Sequence, residues 1–304
     1  MSISILGIYV ADLVFFGKKI PVEGETILGN NFVIGPGGKG SNQAVAAAKA
    51  GVNTYFISKI GDDQFGQMAT KIYDEAKVDY SNVIISREHS TGAAAIMVNE
   101  KSGANAINVF PGAAAAITNA DIDKAEEAIK NSKIFLTQLE APKDVVLYAI
   151  KKAKELGVKT ILNPAPAAAI DKSIYPFIDY FTPNETESSF YVDHPVETHD
   201  DARKAASTLL DMGIKNVIIT LGEKGAYFAN SNETFFSPIA NLSSPVVDTT
   251  GAGDAFNAGF AAALTENQSI KDAIAFASAT AGLSTTKIGT ANSMPNREEI
   301  DKIL

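Results

Sequence analysis

The chain has 304 residues, 46% of them hydrophobic, enough to bury a large core, and it has no cysteine, which excludes disulfides, thiolate catalysis and zinc–thiolate sites. A formal net charge of −9 argues against a nucleic-acid surface, which needs clustered Lys and Arg, and no apolar run approaches a membrane span in length. The three histidines, His89, His194 and His199, stand in polar, turn-like contexts without a metal-ligand neighbour, which sets aside a histidine triad or a zinc hydrolase. The segment Met1–Gly7 carries neither the basic region nor the cleavage site of a signal peptide; with the lack of cysteine, this points to the cytoplasm.

In chain order, apolar strands are predicted over residues 3–7, 54–57, 133–139, 160–163, 180–182 and 216–221. Helices are predicted over 42–50, 64–76, 120–131, 142–156 and 200–212, with Gly51 and Gly157 as C-caps. Several strands are nearly continuous apolar runs, as in a sheet covered on both faces, so the pattern is βαβ and the class α/β with a mainly parallel sheet. Two regions break the rhythm. Residues 12–34 hold short extended pieces, and 93–98 with 106–110 read as a hairpin around Lys101-Ser102-Gly103. Neither is followed by a covering helix, so together they predict a small separate sheet serving as a lid or dimer surface. No repeat or interdomain linker appears, and residues 1–304 read as one domain carrying that lid.

The most informative segment is Asp248-Thr249-Thr250-Gly251-Ala252-Gly253-Asp254, followed by the apolar helical stretch 256–264. It places Gly251, Ala252 and Gly253 at a helix N-terminus, where unpaired amides and the positive end of the dipole form an anion site. Asp254 then falls in the first turn. There a carboxylate can take the proton of an attacking hydroxyl while the amides hold a transferring phosphate.

Gly37-Gly38-Lys39-Gly40-Ser41-Asn42-Gln43 superficially resembles a nucleotide P-loop, but Gly40 follows Lys39 where that motif needs Ser or Thr. The dinucleotide fingerprint also fails, because residues 5–12 contain one glycine where three are required. What remains is a glycine-rich entry to a helix, with Lys39 and Asn42 as donors suited to a polyhydroxylated ligand. Asp12 and Glu140 follow strands at their C-terminal ends, and Asp12 can accept two hydroxyl hydrogen bonds. Asn184 and Glu187 form a capping box by spacing, yet the same pair can orient magnesium-bound water near phosphates. Thr220, Gly222 and Gly225 follow another strand and permit close approach by a nucleotide.

Taken together, Gly37–Ala44, Asn184–Glu187, Asp248–Asp254 and the stretch Leu162-Asn163-Pro164-Ala165-Pro166 closely resemble the ribokinase-like (PfkB) family of carbohydrate kinases over nearly the whole chain. The resemblance implies a three-layer α/β/α fold with a small β-sheet lid. It also implies an ATP-dependent sugar kinase acting on a primary hydroxyl, foremost the 5-hydroxyl of D-ribose. Asp254 would be the base and Gly251, Ala252 and Gly253 the anion hole. Asp12, Gly38, Lys39, Asn42, Glu140 and Asp254 would hold the sugar, with Ile107 reaching toward it from the lid. Asn184 and Glu187 would organise Mg²⁺ and phosphate, and Asn184, Thr220, Gly222, Gly225 and Gly253 would line the ATP site. An activating K⁺ would take Asp248 and Thr250, backbone from the Ser284, Lys287 and Gly289 region, and Ser293. The lid would also be the contact of a homodimer.

One departure concerns the sugar. Family members usually read Gly-Ser-Ile-Asn-x-Asp after the first strand, and this chain reads Gly7-Ile8-Tyr9-Val10-Ala11-Asp12. Val10 replaces an asparagine expected to touch the sugar, which leaves 2-deoxyribose, another pentose or a nucleoside as alternative acceptors. A non-catalytic sugar-binding protein is a further alternative, and it would bind ligand without releasing ADP.

Overall fold

A computed structural model describes all 304 residues. Its strands are β1 (Ser2–Leu6), β2 (Val10–Gly17), β3 (Asn31–Gly37), β4 (Asn53–Gly61), β5 (Asp79–Ser86), β6 (Thr91–Asn99), β7 (Asn105–Gly112), β8 (Ile134–Thr137), β9 (Lys159–Leu162), β10 (Tyr180–Phe181), β11 (Asn216–Thr220), β12 (Ala226–Asn230) and β13 (Thr234–Ser237). The helices are α1 (Lys39–Lys49), α2 (Gln64–Ala76), α3 (Asn119–Lys124), α4 (Glu126–Lys130), α5 (Lys143–Glu155), α6 (Glu185–Val192), α7 (His199–Asp211), α8 (Ala252–Thr265), α9 (Ile270–Ser284) and α10 (Arg297–Asp301).

Nine strands form one sheet in the order β13-β12-β11-β10-β9-β8-β1-β4-β5. It is parallel from β5 to β11, and β12 and β13 continue it antiparallel. The apolar runs are explained by what covers each face. In β8, Ile134 and Leu136 join one core cluster and Phe135 the other. In β11, Ile218 goes one way while Val217 and Ile219 go the other. Side chains alternate across a strand, so a sheet buried on both faces needs an apolar residue at every position. The first cluster draws on α1, α2, α8 and α9, the second on α5 and α7, giving the expected three layers.

The chain leaves the large sheet after β1 and enters a second one within three residues. This sheet has the order β3-β2-β6-β7, with β2 and β6 parallel and both outer pairs antiparallel. The small sheet expected from residues 12–34 and 93–110 is therefore present, its strands reaching 10–37 and 91–112.

Strands β5, β12 and β13 were not expected, and three of the expected elements differ in extent. The helix expected over 120–131 is interrupted at Ala125, whose ψ of 6° leaves the helical well. Strand β8 stops at Thr137, so Gln138, Leu139 and Glu140 lie in the connection to α5. Helix α1 begins at Lys39, earlier than expected, because Gly38 takes a φ of 89° as its N-cap. No helix is long and apolar enough to cross a membrane.

Two glycines seat α1. A Cβ on Gly7 would stand 2.6 Å from the Gly40 Cα, and one on Gly40 would meet Gly7 as closely. The N-terminus of α1 thus presses directly on the C-terminal end of β1, which brings Lys39, Asn42 and Gln43 to the strand ends.

Candidate active site

Helix α8 starts from Gly251, which adopts a left-handed φ of 80° and leaves the helix without a side-chain cap. Glycine reaches that conformation without the Cβ penalty of other residues. The first intrahelical bond runs from the Ala255 amide to the Gly251 carbonyl, so the Gly253 and Asp254 amides precede the ladder. They border a polar cavity of about 180 Å³ at the strand ends, also lined by Lys39, Asn163, Ala165, Thr182, Asn184, Glu187, Thr220, Gly251 and Asn257.

Asp254 is 6% exposed. Both of its carboxylate oxygens accept hydrogen bonds, Oδ2 from Asn42 Nδ2 and Oδ1 from Gln43 Nε2, each at 3.0 Å. Burial pushes its carboxyl above the usual range, opposed by the Lys39 ammonium and these two amides. Burial alone would lower the Lys39 ammonium, but the carboxylates of Asp254, Glu140 and Glu187 outweigh it and raise it. Glu140 Oε2 accepts the Lys39 backbone amide at 2.8 Å. Its carboxyl is pushed up to about 7 by burial, against the pull of Lys39. Asp12 rises to about 6, through burial and then the charge of Asp254. Its carboxyl lies over Gly37, where an added Cβ would come within 2.3 Å of both oxygens.

Asn184 caps α6 in a full capping box: Asn184 Oδ1 accepts the Glu187 amide at 2.8 Å, and Glu187 Oε2 accepts the Asn184 amide at 2.9 Å. Both also line the cavity, so capping and ligand binding are compatible. Burial raises the Glu187 carboxyl, offset by the Asn184 amide and Lys39. Three carboxyls, those of Asp254, Glu140 and Glu187, thus act on one lysine, a surplus of acidic groups that fits a divalent cation. No cluster of three or more His, Asp or Glu side chains could hold a metal alone. Mg²⁺ fits such a site, because it keeps waters and binds through one or two carboxylates plus substrate phosphates.

A loop cluster adjoins the α8 N-terminus. Asp248 accepts the Thr250 amide at 2.9 Å and the Gly289 amide at 3.0 Å. Burial works against its ionisation, but these contacts hold its carboxyl below the usual range. The Ser284 and Ser293 hydroxyls donate to the carbonyls of Ala281 and Thr290, and the Lys287 ammonium pairs with Glu299 at 2.8 Å. Only backbone of Lys287 is therefore left for a cation, and the Asp248–Gly289 contact joins the two segments expected to hold K⁺.

Seven expected site residues line the cavity: Lys39, Asn184, Glu187, Thr220, Gly251, Gly253 and Asp254. Asn42, Glu140 and Asp12 join them through Asp254 and Lys39, while Gly38 and Ala252 begin the two helices. Gly222 and Gly225 have φ of 54° and 91° after β11 and lie outside the lining. Ile107 also lies outside it, 56% exposed on β7. Register nevertheless puts Ile107 on the Asp12 face of the small sheet, through Ile96 and Ala94. The histidines take no part in the lining.

The sequence reading missed Gln43, Gln138, Asn163, Thr182 and Asn257 as site residues. Gln43 was the most accessible, one turn beyond Lys39 and so on the same helix face. Asn163 and Thr182 follow β9 and β10, and Asn257 Nδ2 donates to the Gly253 carbonyl one turn back at 2.9 Å.

A polar cavity at strand ends, facing a glycine-capped helix N-terminus with a buried carboxylate in its first turn and a lysine beside it, defines a phosphotransferase site. Comparisons with known proteins give the class its family. Residues 2–297 match the model of the pfkB family carbohydrate kinases. A ribokinase of Haemophilus influenzae is 39% identical over 298 residues, covering 98% of this chain and 96% of its own length. A deoxyribokinase of Salmonella typhi is 37% identical over 305 residues, covering 100% and 99%. The structure of Arabidopsis thaliana ribokinase complexed with ribose and ATP superposes with a TM-score of 0.93 at 33% identity, over 99% of this chain and 97% of that one. The chain belongs to the pfkB family of carbohydrate kinases. It has the ribokinase fold and is a phosphotransferase acting on a sugar alcohol group.

Proposed function

We propose that this kinase transfers the γ-phosphate of ATP to the primary 5-hydroxyl of D-ribose, giving D-ribose 5-phosphate and ADP. The observation that carries the reading is Asp254, buried in the first turn of α8 with both oxygens held by amide donors and Lys39 beside it. Asp254 accepts the proton of the sugar hydroxyl as the phosphoryl group arrives. The amides at Gly251 and Gly253 receive the developing charge, aimed before the reaction begins, whereas the Ala252 amide is engaged by the Thr249 carbonyl at 3.2 Å and shapes the turn. Asp12, Gly38, Lys39, Asn42 and Glu140 hold the sugar. Asn42 Oδ1 is buried without a partner, as an acceptor reserved for a ligand hydroxyl would be. Asn184 and Glu187 would hold Mg²⁺, which when bound would supply positive charge against the transferring phosphate. Thr220 and the Gly253 backbone line the nucleotide side, with the Gly222–Gly225 turn just beyond the cavity after β11.

K⁺ activation belongs to the same reading. Asp248, Thr250 and the 284–293 loop meet behind Gly251, so an ion there would brace the anion-binding turn. The small sheet acts as lid and homodimer contact. Its face opposite Asp12 carries Phe15, Phe32, Ile34, Met97 and Phe110, all exposed, with the Phe15 and Phe32 rings 4.7 Å apart. A cytoplasmic site of action completes the proposal, in keeping with a cysteine-free chain.

The test is ADP release from ATP and Mg²⁺ across D-ribose, 2-deoxy-D-ribose, other pentoses, hexoses and adenosine, each with K⁺ and with Na⁺. Preference for D-ribose with faster turnover in K⁺ is expected. Faster turnover of 2-deoxy-D-ribose would overturn the sugar assignment and point to Val10, buried beside Gly92 of β6, as its cause.

A further inference from the structure

Gln43 is fully buried and outside the cavity lining, yet it touches the reacting group. Its Nε2 donates to Asp254 Oδ1 at 3.0 Å and to Asn163 Oδ1 at 3.2 Å. Its Oε1 accepts from Gln138 Nε2. The amide can stand only one way. Turned over, it would set its oxygen against the Asp254 carboxylate and the Asn163 amide oxygen, and, with Gln138 as it stands, its NH₂ against the NH₂ of Gln138, whose own Oε1 has no partner. Gln138 is buried as well, and its place depends on two glycines. A Cβ on Gly7 would lie 2.5 Å from Gln138 Oε1, and one on Gly40 would lie 3.1 Å from it.

The network then returns to the same helix turn. Asn163 Nδ2 donates to the Thr182 carbonyl at 3.1 Å, Thr182 Oγ1 donates to Asn257 Oδ1, and Asn257 Nδ2 donates to the Gly253 carbonyl at 2.9 Å. The carboxyl of Asp254 and the anion-binding turn are thus tied into one buried frame.

We propose that Gln43 is a positioning residue for Asp254: its Nε2 fixes the rotation of the carboxyl group, and Gln138 holds the Gln43 amide in its donating orientation. The inference rests on the reading of Asp254 as the base. Asn42 holds the other oxygen but also belongs to the sugar set, whereas Gln43 has no cavity surface and acts only through Asp254 and the frame.

The experiment is steady-state kinetics on Gln43→Met, Gln138→Met and their combination, with Asp254→Asn alongside. Gln43→Met is expected to lower kcat about tenfold to a hundredfold, the worth of a hydrogen bond to a charged group, with KM for sugar and ATP within about twofold. Gln138→Met is expected to lower kcat about threefold and to add nothing in the Gln43→Met background, because it acts through Gln43. An unchanged kcat in folded Gln43→Met, or a loss carried by the sugar KM, overturns the proposal. A Gln138→Met effect of full size in the double variant overturns the part given to Gln138. If Gln43→Met does not fold, Gln138→Met decides alone: reduced kcat at constant KM supports the proposal and unchanged kcat overturns it. Collapse of turnover in Asp254→Asn beside normal Gln43→Met refutes only the role of Gln43. Normal turnover in Asp254→Asn refutes the base itself.

Discussion

The two walls of the cleft are built on different terms. On the wall made by the large sheet and α8, the groups around the anion-binding turn hold one another: Asp254 is held by Asn42 and Gln43, Asn184 and Glu187 by each other, and Asn257 by Thr182. On the wall that includes the small sheet, only burial and the charge of Asp254 act on Asp12, and no donor offsets them. Glu140 stands near 7, and Asn42 Oδ1, where the walls meet, has no partner. A wall satisfied from within is preorganised, which suits charge developing at a fixed point. A wall with unmet polar groups is completed by its ligand, which suits recognition of a sugar.

Substitutions that act on only one wall break or sharpen this contrast. The largest effect is expected for Asp254→Asn, which keeps the shape and removes the base. Turnover should fall by about 10²–10⁴-fold with the melting temperature little changed. Coupled ADP-release assays and thermal melts check both. Glu140→Gln should act on the other wall, raising the sugar KM by about tenfold while kcat changes less. A kcat loss as deep as that of Asp254→Asn would erase the distinction between the walls.

The raised carboxyls give the contrast a pH signature. Asp12 and Glu140 titrate at about 6 and about 7, above their ordinary 3.8 and 4.5. The folded chain therefore holds these protons more tightly than the unfolded one. Their contribution to stability is full below about pH 4 and is lost as pH rises through 6 to 7. Ionised carboxylates are the better acceptors for sugar hydroxyls, so the sugar KM should fall over the same rise. Melting curves and KM from pH 5 to 8 test this, and Glu140→Gln should flatten both trends. The smallest catalytic effect is expected for Phe15→Asp on the outer face of the small sheet. It should convert a dimer to monomers in sedimentation while kcat falls by no more than about threefold. A wild-type monomer would remove the dimer contact from the account.

What the sequence disclosed follows the reach of each interaction. The Asn184–Glu187 box and the Gly251–Asp254 turn span four residues each, so their geometry is local and legible. The parallel sheet was legible because burial on both faces leaves continuous apolar runs such as Ile134-Phe135-Leu136. Gln43 was quoted in its motif yet given no role, since its partner Asp254 is 211 positions away and two amide residues look like any polar pair on a helix. The β12–β13 hairpin escaped because it joins the parallel sheet at its edge, where no helix follows to mark it. Ile107 was expected to reach toward the sugar from the lid, and its 56% exposure depends on how far the small sheet stands from the large one, which no local pattern encodes.

The most direct measurement compares ADP release with D-ribose and with 5-deoxy-D-ribose, at saturating ATP and Mg²⁺. The account predicts turnover with D-ribose alone, and competitive inhibition by the 5-deoxy sugar, which fills the sugar wall but offers Asp254 no proton to accept. Equal ADP release with both sugars would contradict transfer to the primary hydroxyl and, with it, the role given to Asp254.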